Sequence, residues 1–369
     1  MRCDEQAPMN HGSWLLGPPR NHTRFGEAAR FREGLHRLTE GTYAWMVPNG
    51  SWGETNLGLV DCDGTSVLID TCWDLAHTRE MLSMCKQVLS ASPLGHVINT
   101  HADGDHCWGN QLFKHLPIHA TQACIDQMHH IPPRSLSALQ HASAGLRHVP
   151  LAGIDTFGRY MGEMLRPYRF KGVRITPANQ AFAGRQTLCV NGVDLHLIEV
   201  GPAHTQGDAI VHVPSRGVVY AGDILFVDVT PVMWAGPVEK LIQGLQSLID
   251  LNADIIVPGH GPLASPRDVQ AVIDYWRFVT DAIGRCQAQG MRPFDATQEV
   301  LHSQAFKASV WAQWDSPERL LSSAHALYRQ WGVPPPTLPG KLGQMDLMRQ
   351  QALLAQGLPQ ATPRVMHQP

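Results

Sequence analysis

The most informative part of this chain is the stretch Thr100-His101-Ala102-Asp103-Gly104-Asp105-His106. It closely follows the apolar pair Val97-Ile98, which predicts a buried strand. Four potential metal ligands fall within six residues, and the small residues between them let alternate side chains turn towards one point. Taken alone, the same pattern also fits a solvated turn in which an aspartate caps a helix. The stretch therefore predicts either a metal-binding loop or a capped turn.

Three further residues of the ligand type favour the metal-binding loop. Each follows a short apolar segment with the pattern of a strand, so each is expected at a strand end. They are His204 in Gly201-Pro202-Ala203-His204-Thr205-Gln206-Gly207-Asp208, Asp223 in Tyr220-Ala221-Gly222-Asp223, and His260 in Val257-Pro258-Gly259-His260-Gly261-Pro262. A capped turn at residues 100–106 would not explain this ordered series.

The ordered set resembles the five motifs of the metallo-β-lactamase superfamily, with Asp70 as the aspartate that closes an early strand. The resemblance covers roughly residues 35 to 262. It implies an α/β (α+β) fold in which two sheets lie between outer helices, the four-layer αββα sandwich. The strand and helix patterns of the two halves of the chain agree with this expectation.

The resemblance also implies a dinuclear metal centre. Two divalent metal ions, zinc first of all, would be bound by two groups of ligands that share a bridging carboxylate. The first group is His101, Asp103 and His204, the second is Asp105, His106 and His260, and the bridge is Asp223. A metal-bridging hydroxide would be the nucleophile, and Asp105 would act as the catalytic residue that orients it and carries a proton.

One residue departs from the usual His-x-His-x-Asp-His pattern of the superfamily, because Asp103 stands where the second histidine is expected. A carboxylate adds negative charge and a hard oxygen donor. Three interpretations remain open: a dizinc hydrolase with a weaker first site, a preference for iron or manganese, or a partly empty first site. The flavodiiron proteins of the superfamily carry glutamate at this place, so a diiron oxygen-using oxidoreductase is the alternative function.

The first hypothesis for function is a hydrolase that acts on a small ester, thioester, lactone or lactam. No segment after Pro266 resembles the flavin-binding sheet of the flavodiiron proteins, which favours hydrolysis over oxygen chemistry. Trp52 and Trp234 are expected in the wall of the substrate pocket. Four residues are expected to hold the ligating imidazoles by hydrogen bonds: Asp70, Thr100, Thr205 and Asp208.

The chain divides by pattern into an N-terminal lead, a catalytic domain, a helical C-terminal appendage and a tail. The predicted bounds are 1–34, 35–265, 266–335 and 336–369, and Pro334-Pro335-Pro336 is expected to end the appendage. Two apolar stripes with helical spacing indicate the appendage. The appendage contains more tryptophans than the packing of two helices against each other requires, so we hypothesise that it contacts a second copy of the chain in a homodimer. These tryptophans are Trp311, Trp314 and Trp331.

The amino-acid composition of the chain argues against some classes of binding partner. The chain carries 29 Lys+Arg against 32 Asp+Glu, a formal net charge of -3, so it lacks the basic field that gathers nucleic acid. Neither a signal-peptide core nor a membrane span is evident, and we predict a cytoplasmic protein with a small-molecule substrate. The eight cysteines include no Cys-x-x-Cys pair, which predicts reduced, mostly buried thiols.

Overall fold

The computed structural model describes residues 12–50, 52–151, 153–333 and 340–364. Within these ranges the strands form two sheets. The larger sheet follows chain order, with antiparallel pairing up to its fifth strand and parallel pairing beyond it: β1 (Ser13–Leu16), β2 (Gly34–Thr39), β3 (Thr42–Met46), β4 (Leu57–Asp61), β5 (Ser66–Ile69), β6 (Leu94–Ile98), β7 (Ile118–Thr121) and β8 (Gln180–Phe182).

The smaller sheet has the order β13-β12-β11-β10-β9, and only its β12–β13 pair is parallel. Its strands are β9 (Arg185–Val190), β10 (Val193–Glu199), β11 (Ala209–Val213), β12 (Val218–Tyr220) and β13 (Ile255–Val257). The α-helices of the described residues are α1 (Leu75–Met84), α2 (Lys86–Ala91), α3 (Gly104–Cys107), α4 (Gln122–Gln127), α5 (Pro133–Leu146), α6 (Ile154–Leu165), α7 (Val238–Asp250), α8 (Pro266–Ala288), α9 (Pro293–His302), α10 (Gln304–Lys307), α11 (Leu320–Gln330) and α12 (Gly340–Ala355).

Two hydrophobic clusters define the layers. One cluster lies between the sheets and joins residues such as Ile69 and Ile98 of the larger sheet with Leu197 and Val211 of the smaller one. The other cluster joins the outward faces of both sheets to the helices that cover them. Alternate residues of a strand point to opposite faces, which explains why β5 and β11 are buried along their whole length. The αββα sandwich expected from the sequence is therefore confirmed.

Polar side chains cap the first turns of helices α1 and α8. Asp74 caps α1, since its carboxylate accepts a hydrogen bond from the backbone N–H of His77 at 2.7 Å. Ser265 and Asp268 form a capping box at the start of α8, with a proline at the first helical position. These caps fix where the chain leaves the sheets.

Three parts of the structure differ from the division into lead, catalytic domain, appendage and tail that the sequence pattern suggests. The N-terminal lead contributes β1, which pairs with β2 at the edge of the larger sheet. The region from 120 to 180, in which no helix is predicted from the sequence, contains α5 and α6. Helices α8 and α11 share one core with the outer face of the smaller sheet, so the appendage packs as part of the main body. The domain bounds stay predictions, and Pro334-Pro335-Pro336 lies outside the described residues.

The described residues contain neither a membrane-spanning helix nor a disulfide. None of their helices combines the length and the apolar character that a membrane crossing requires. Their cysteines are free, and all of them are buried except Cys189, whereas Cys3 lies outside the described ranges.

Candidate metal centre

The polar loops predicted from the sequence meet at one edge of the sandwich, where several strands end. Asp70 follows β5, and the stretch Thr100–His106 follows β6 in the same sheet. The loops with His204, Asp223 and His260 follow strands of the smaller sheet. Because the carboxyl ends of β5, β6, β12 and β13 face this edge, residues that are far apart in the sequence come together here.

Four histidines surround the carboxylate of Asp223. Its Oδ1 lies 3.1 Å from Nε2 of His106, and its Oδ2 lies 3.3 Å from Nε2 of His260. The Nε2 atoms of His204 and His101 lie 3.4 Å and 3.7 Å from the same Oδ2. Asp223 therefore occupies the centre of the cluster, where a carboxylate can contact two cations at once.

The opposite nitrogen of each of these imidazoles has its own partner. Nδ1 of His106 lies 2.9 Å from Oδ2 of Asp70, and Nδ1 of His101 lies 3.0 Å from the hydroxyl of Thr100. That hydroxyl donates to Asp70 at 2.7 Å, so it is left to accept from His101. The other two Nδ1 atoms face backbone carbonyls: His204 faces Val232 O at 2.7 Å, and His260 faces Glu54 O at 3.2 Å.

These partners decide the tautomer of all four rings. Three of these partners are carboxylate or carbonyl oxygens, which only accept hydrogen bonds, and the Thr100 hydroxyl already donates to Asp70, so each Nδ1 carries a proton and each ring, when neutral, presents a lone pair at Nε2. Nε2 of His101, Nε2 of His106 and Oδ1 of Asp223 are buried without a hydrogen-bond partner in the described part of the chain. Buried polar atoms are rarely left unpaired, and these three fit the donor set of a metal ion.

Three groups of side chains have ligand atoms within 4.8 Å of one another and could each hold a metal ion. Two of them are the same sets that the resemblance implies, and the third joins them through the central carboxylate. The groups are His101, Asp103 and His204; Asp105, His106 and His260; and His101, His106 and Asp223. The structure thus brings together every predicted ligand.

The histidines and carboxylates of the cluster shift one another's pKa values. Burial opposes a charge on His106, yet the carboxylates of Asp223, Asp105 and Asp70 raise its pKa well above the ordinary value. Burial likewise opposes ionisation of Asp223, but the surrounding histidines, His260 first, hold its pKa well below the ordinary range. Opposite charges therefore compensate one another within the site, as bound cations would do for its carboxylates.

Asp103, the departure from the family pattern, lies at the outer side of the cluster. Its side chain is 34% exposed, and its Oδ2 lies 3.2 Å from Nε2 of His204. Although burial would raise the pKa of Asp103, the interaction with the neighbouring imidazole of His204 lowers it. The carboxylate therefore faces the position that the resemblance assigns to the first metal ion.

The two residues expected to hold imidazoles from the His204 loop bind each other instead. Asp208 accepts hydrogen bonds from the backbone N–H of Thr205 at 2.9 Å and from its hydroxyl at 2.6 Å. Among the described residues, neither side chain forms a hydrogen bond to an imidazole. Thr205 and Asp208 fix the loop that carries His204, whereas Asp70 and Thr100 contact imidazoles directly.

A segment that is not predicted from the sequence also reaches the site. The hydroxyl of Thr55 donates to Oδ2 of Asp105 at 2.8 Å, and the neighbouring carbonyl of Glu54 faces His260. At Gly50, an added Cβ would lie 2.5 Å from Cβ of His260, so only glycine fits there. The turn-rich composition of residues 49–53 is the only sequence signal for this segment, and it says nothing about Thr55.

The two tryptophans predicted for the pocket lie in different surroundings. Trp52 is half-buried and packs against Trp73 and Tyr160, with ring centroids 6.3 Å and 6.4 Å away. Trp234 is 38% exposed, and its backbone N–H donates to the carbonyl of His204 at 2.8 Å. Trp234 therefore lies beside a predicted ligand, and the role of both tryptophans in a substrate pocket stays a prediction.

Comparison with known proteins gives relatives of the same fold. The "metallo-β-lactamase family protein" of Thermus thermophilus superposes with a TM-score of 0.55 at 18% identity, over 80% of this chain and 95% of that chain. The "stereoselective inverting sec-alkylsulfatase Pisa1" of Pseudomonas sp. superposes with a TM-score of 0.56 at 15% identity, over 81% of this chain and 50% of that chain. At such identities the likeness establishes the fold alone.

One curated protein is similar in sequence over a shorter region. The alpha subunit of 2,4-dinitroanisole O-demethylase from Nocardioides sp. (strain JS1661) is 27% identical over 122 residues, which is 31% of this chain and 35% of the relative. The chain thus spans about a third of that relative and half of the sulfatase. The family model of the metallo-beta-lactamase superfamily matches residues 50–260, which contain the whole cluster. This chain therefore belongs to the metallo-β-lactamase superfamily.

Proposed function

We propose that this protein is a metal-dependent hydrolase that acts on a small ester-like substrate at a dinuclear centre. The observation that carries the proposal is the convergence of four Nε2 lone pairs on the Asp223 carboxylate, each ring held in one tautomer through its Nδ1. Preorganised neutral imidazoles and carboxylates are the donor set that zinc prefers. Iron or manganese is the alternative, which Asp103 favours by its hard oxygen donor.

Each residue of the cluster has a defined task in this proposal. When bound, a pair of divalent ions would lower the pKa of water towards about 7 and polarise the electrophile. Asp105 is buried within the cluster, where its carboxylate would orient the attacking water and carry its proton. Thr55 orients this carboxylate by its hydrogen bond. Asp70 and Thr100 keep the imidazoles of His106 and His101 aimed at the centre.

The proposed substrates include several kinds of bond besides carboxylic esters. Relatives of this chain are named as an alkylsulfatase and as an O-demethylase, so sulfate esters and aryl ethers join the carboxylic esters, thioesters, lactones and lactams to be tested. All of these reactions displace an oxygen, sulfur or nitrogen leaving group with water. A hydroxide poised beside an electrophile-polarising centre serves each of them.

The test combines metal analysis with activity. Protein purified without added metal is analysed for zinc, iron and manganese, and the same sample is assayed on the substrate panel and for oxygen uptake. We expect zinc and at least one hydrolytic activity, both lost in His101→Gln and both kept in His196→Gln, since His196 contacts His212 in the smaller sheet. About two iron atoms per chain with oxygen uptake would favour the oxidoreductase instead.

A further inference from the structure

A buried phenylalanine lies among the imidazoles of the metal centre. Phe226 follows the turn that carries Asp223, and its side chain is completely buried. It nevertheless belongs to neither of the two hydrophobic clusters of the described residues. Its ring contacts two predicted ligands, His260 and His204, and the guanidinium of Arg319. A large apolar side chain is stabilised mainly by apolar neighbours, so its place among polar groups needs a further explanation.

The contact with His260 is a face-to-face stack. The two ring planes are parallel within 4°, and the ring centroids lie 5.0 Å apart. The backbone fixes this pairing, since Phe226 and His260 form a parallel β-bridge and the N–H of Val227 donates to the carbonyl of His260 at 3.1 Å. Parallel rings at this spacing are one of the arrangements that aromatic pairs prefer. The stack therefore restrains rotation of the imidazole about its Cβ–Cγ bond.

Among the four histidines, His260 is the one that most needs this restraint. The torsion about the Cβ–Cγ bond of a histidine has broad energy minima, so the ring orientation depends on contacts. The Nδ1 contact of His260 with Glu54 O is 3.2 Å long, the longest of the four, whereas that of His204 with Val232 O is 2.7 Å. Phe226 meets the ring of His204 at 57° with centroids 5.8 Å apart, which is a looser contact. The stack thus supplements the longest of the four Nδ1 contacts.

We propose that Phe226 is a positioning residue that aims Nε2 of His260 at the metal ion of the group Asp105, His106 and His260. This inference deepens the proposed function and rests on its metal centre, whatever the substrate. Phe226 restrains the face of the imidazole while the carbonyl of Glu54 holds its Nδ1. A side chain that is held in place beforehand loses less conformational entropy when a ligand binds. Metal binding at this group is therefore tighter than with an unrestrained His260.

The alternative is that Phe226 only fills space. Its loss would then lower the stability of the metal-free protein and leave both zinc affinities of the folded protein unchanged. A positioning residue that acts through one imidazole has a different effect, because its loss weakens the binding of one zinc ion and spares the other. The pattern of zinc affinities therefore distinguishes the two roles.

The experiment compares substitutions that remove a planar ring. Phe226→Leu removes the stack and keeps an apolar side chain, Phe226→Met does the same with an unbranched one, and Phe306→Leu is the matched control. Phe306 is also buried, but it lies on α10 and packs against Phe278. Zinc affinities are measured by competition with a chromogenic chelator, and the melting temperature of the metal-free proteins reports packing. Proton NMR of the cobalt(II)-loaded proteins then follows the ring N–H of each bound histidine.

We expect Phe226→Leu and Phe226→Met to weaken the binding of one zinc ion about 5- to 10-fold and that of the other less than about twofold. The Nδ1–H signal of one histidine should broaden, because a loosely held ring exchanges its proton with solvent faster. Phe306→Leu should lower the melting temperature and keep both zinc affinities and the ring N–H signals of all four histidines.

Two results would overturn the inference: both zinc affinities unchanged in a folded Phe226 variant, or both weakened equally. If Phe226→Leu does not fold, Phe226→Met decides. A wild type that binds zinc as expected but hydrolyses no substrate would refute the hydrolase proposal and leave the role of Phe226 intact. A wild type that binds no metal ion would refute both.

Discussion

Replacing Asp70 by asparagine tests how the centre is held. Asp70 accepts three hydrogen bonds: from the backbone N–H and the hydroxyl of Thr100, each at 2.7 Å, and from Nδ1 of His106 at 2.9 Å. Its φ of 63° lies in the left-handed region, which asparagine also tolerates, so the backbone is preserved. An amide has one accepting oxygen in place of two. At least one of the three donors must therefore face an N–H group.

The size of the effect follows from this mismatch. A buried donor left unpaired costs about 1–3 kcal/mol. If the ring of His106 responds by exchanging its proton to Nε2, its metal-facing lone pair is lost. Loss of such a supporting partner lowers metal affinity about 10- to 100-fold, which corresponds to about 1.4–2.7 kcal/mol. We therefore expect Asp70→Asn to weaken zinc binding by this factor.

The assay is a competition for zinc between the protein and a chromogenic chelator. Asp74→Asn is the matched control, because Asp74 is also buried, accepts hydrogen bonds from the backbone N–H groups of His77 and Arg169, and lies 3.0 Å from Nδ1 of His77, at the start of α1 and outside the cluster. It should lose stability and keep its zinc affinity within about threefold. If both variants lost zinc affinity equally, or if Asp70→Asn kept it, the proposed role of the hydrogen bonds to the imidazoles would be refuted.

Three further substitutions test other parts of the site. Asp103→His supplies the histidine that the family pattern expects. Both the zinc retained through dialysis and the hydrolytic rate should therefore rise. Tighter zinc binding with loss of an iron-dependent activity would contradict the hydrolase hypothesis. Thr55→Val removes the donor to Asp105 and should lower kcat about 10-fold and move the acidic limb of the pH–rate profile, while Thr55→Ser should restore both. Burial raises the pKa of Glu318 to about 8, so the folded protein keeps a proton that the unfolded chain has released, and stability falls as the pH rises from about 4.5 to about 8. Glu318→Gln should flatten this fall in melting temperature; an unchanged slope would show that Glu318 titrates normally.

The sequence was sufficient for the sandwich and for the position of the ligands. Asp70, Asp223 and His260 each follow a short apolar strand, and parallel or adjacent strand ends meet at one edge of a sheet. A pattern of strand followed by a polar residue is local, so it can be read without knowing the packing. The assignment of the seven side chains to two metal sites with a bridging carboxylate came from the resemblance to the superfamily.

The rest depended on contacts that no local pattern encodes. Thr55 lies 50 residues before the carboxylate to which it donates a hydrogen bond. Thr205 and Asp208 stand at the right places to hold imidazoles but satisfy each other, because the turn brings the carboxylate back onto its own loop. Helix α6 does carry an apolar stripe with helical spacing, from Phe157 to Leu165, so the sequence could have predicted it, whereas α5 buries too few residues to show such a stripe.

The most direct test of the account is the zinc stoichiometry of the metal-free protein, measured by equilibrium dialysis. The wild type should bind about two zinc ions per chain, and Asp223→Ala should bind at most one, because its carboxylate faces all four histidines. Failure of the wild type to retain any divalent metal, or equal binding by Asp223→Ala, would contradict the claim that these side chains form a dinuclear centre.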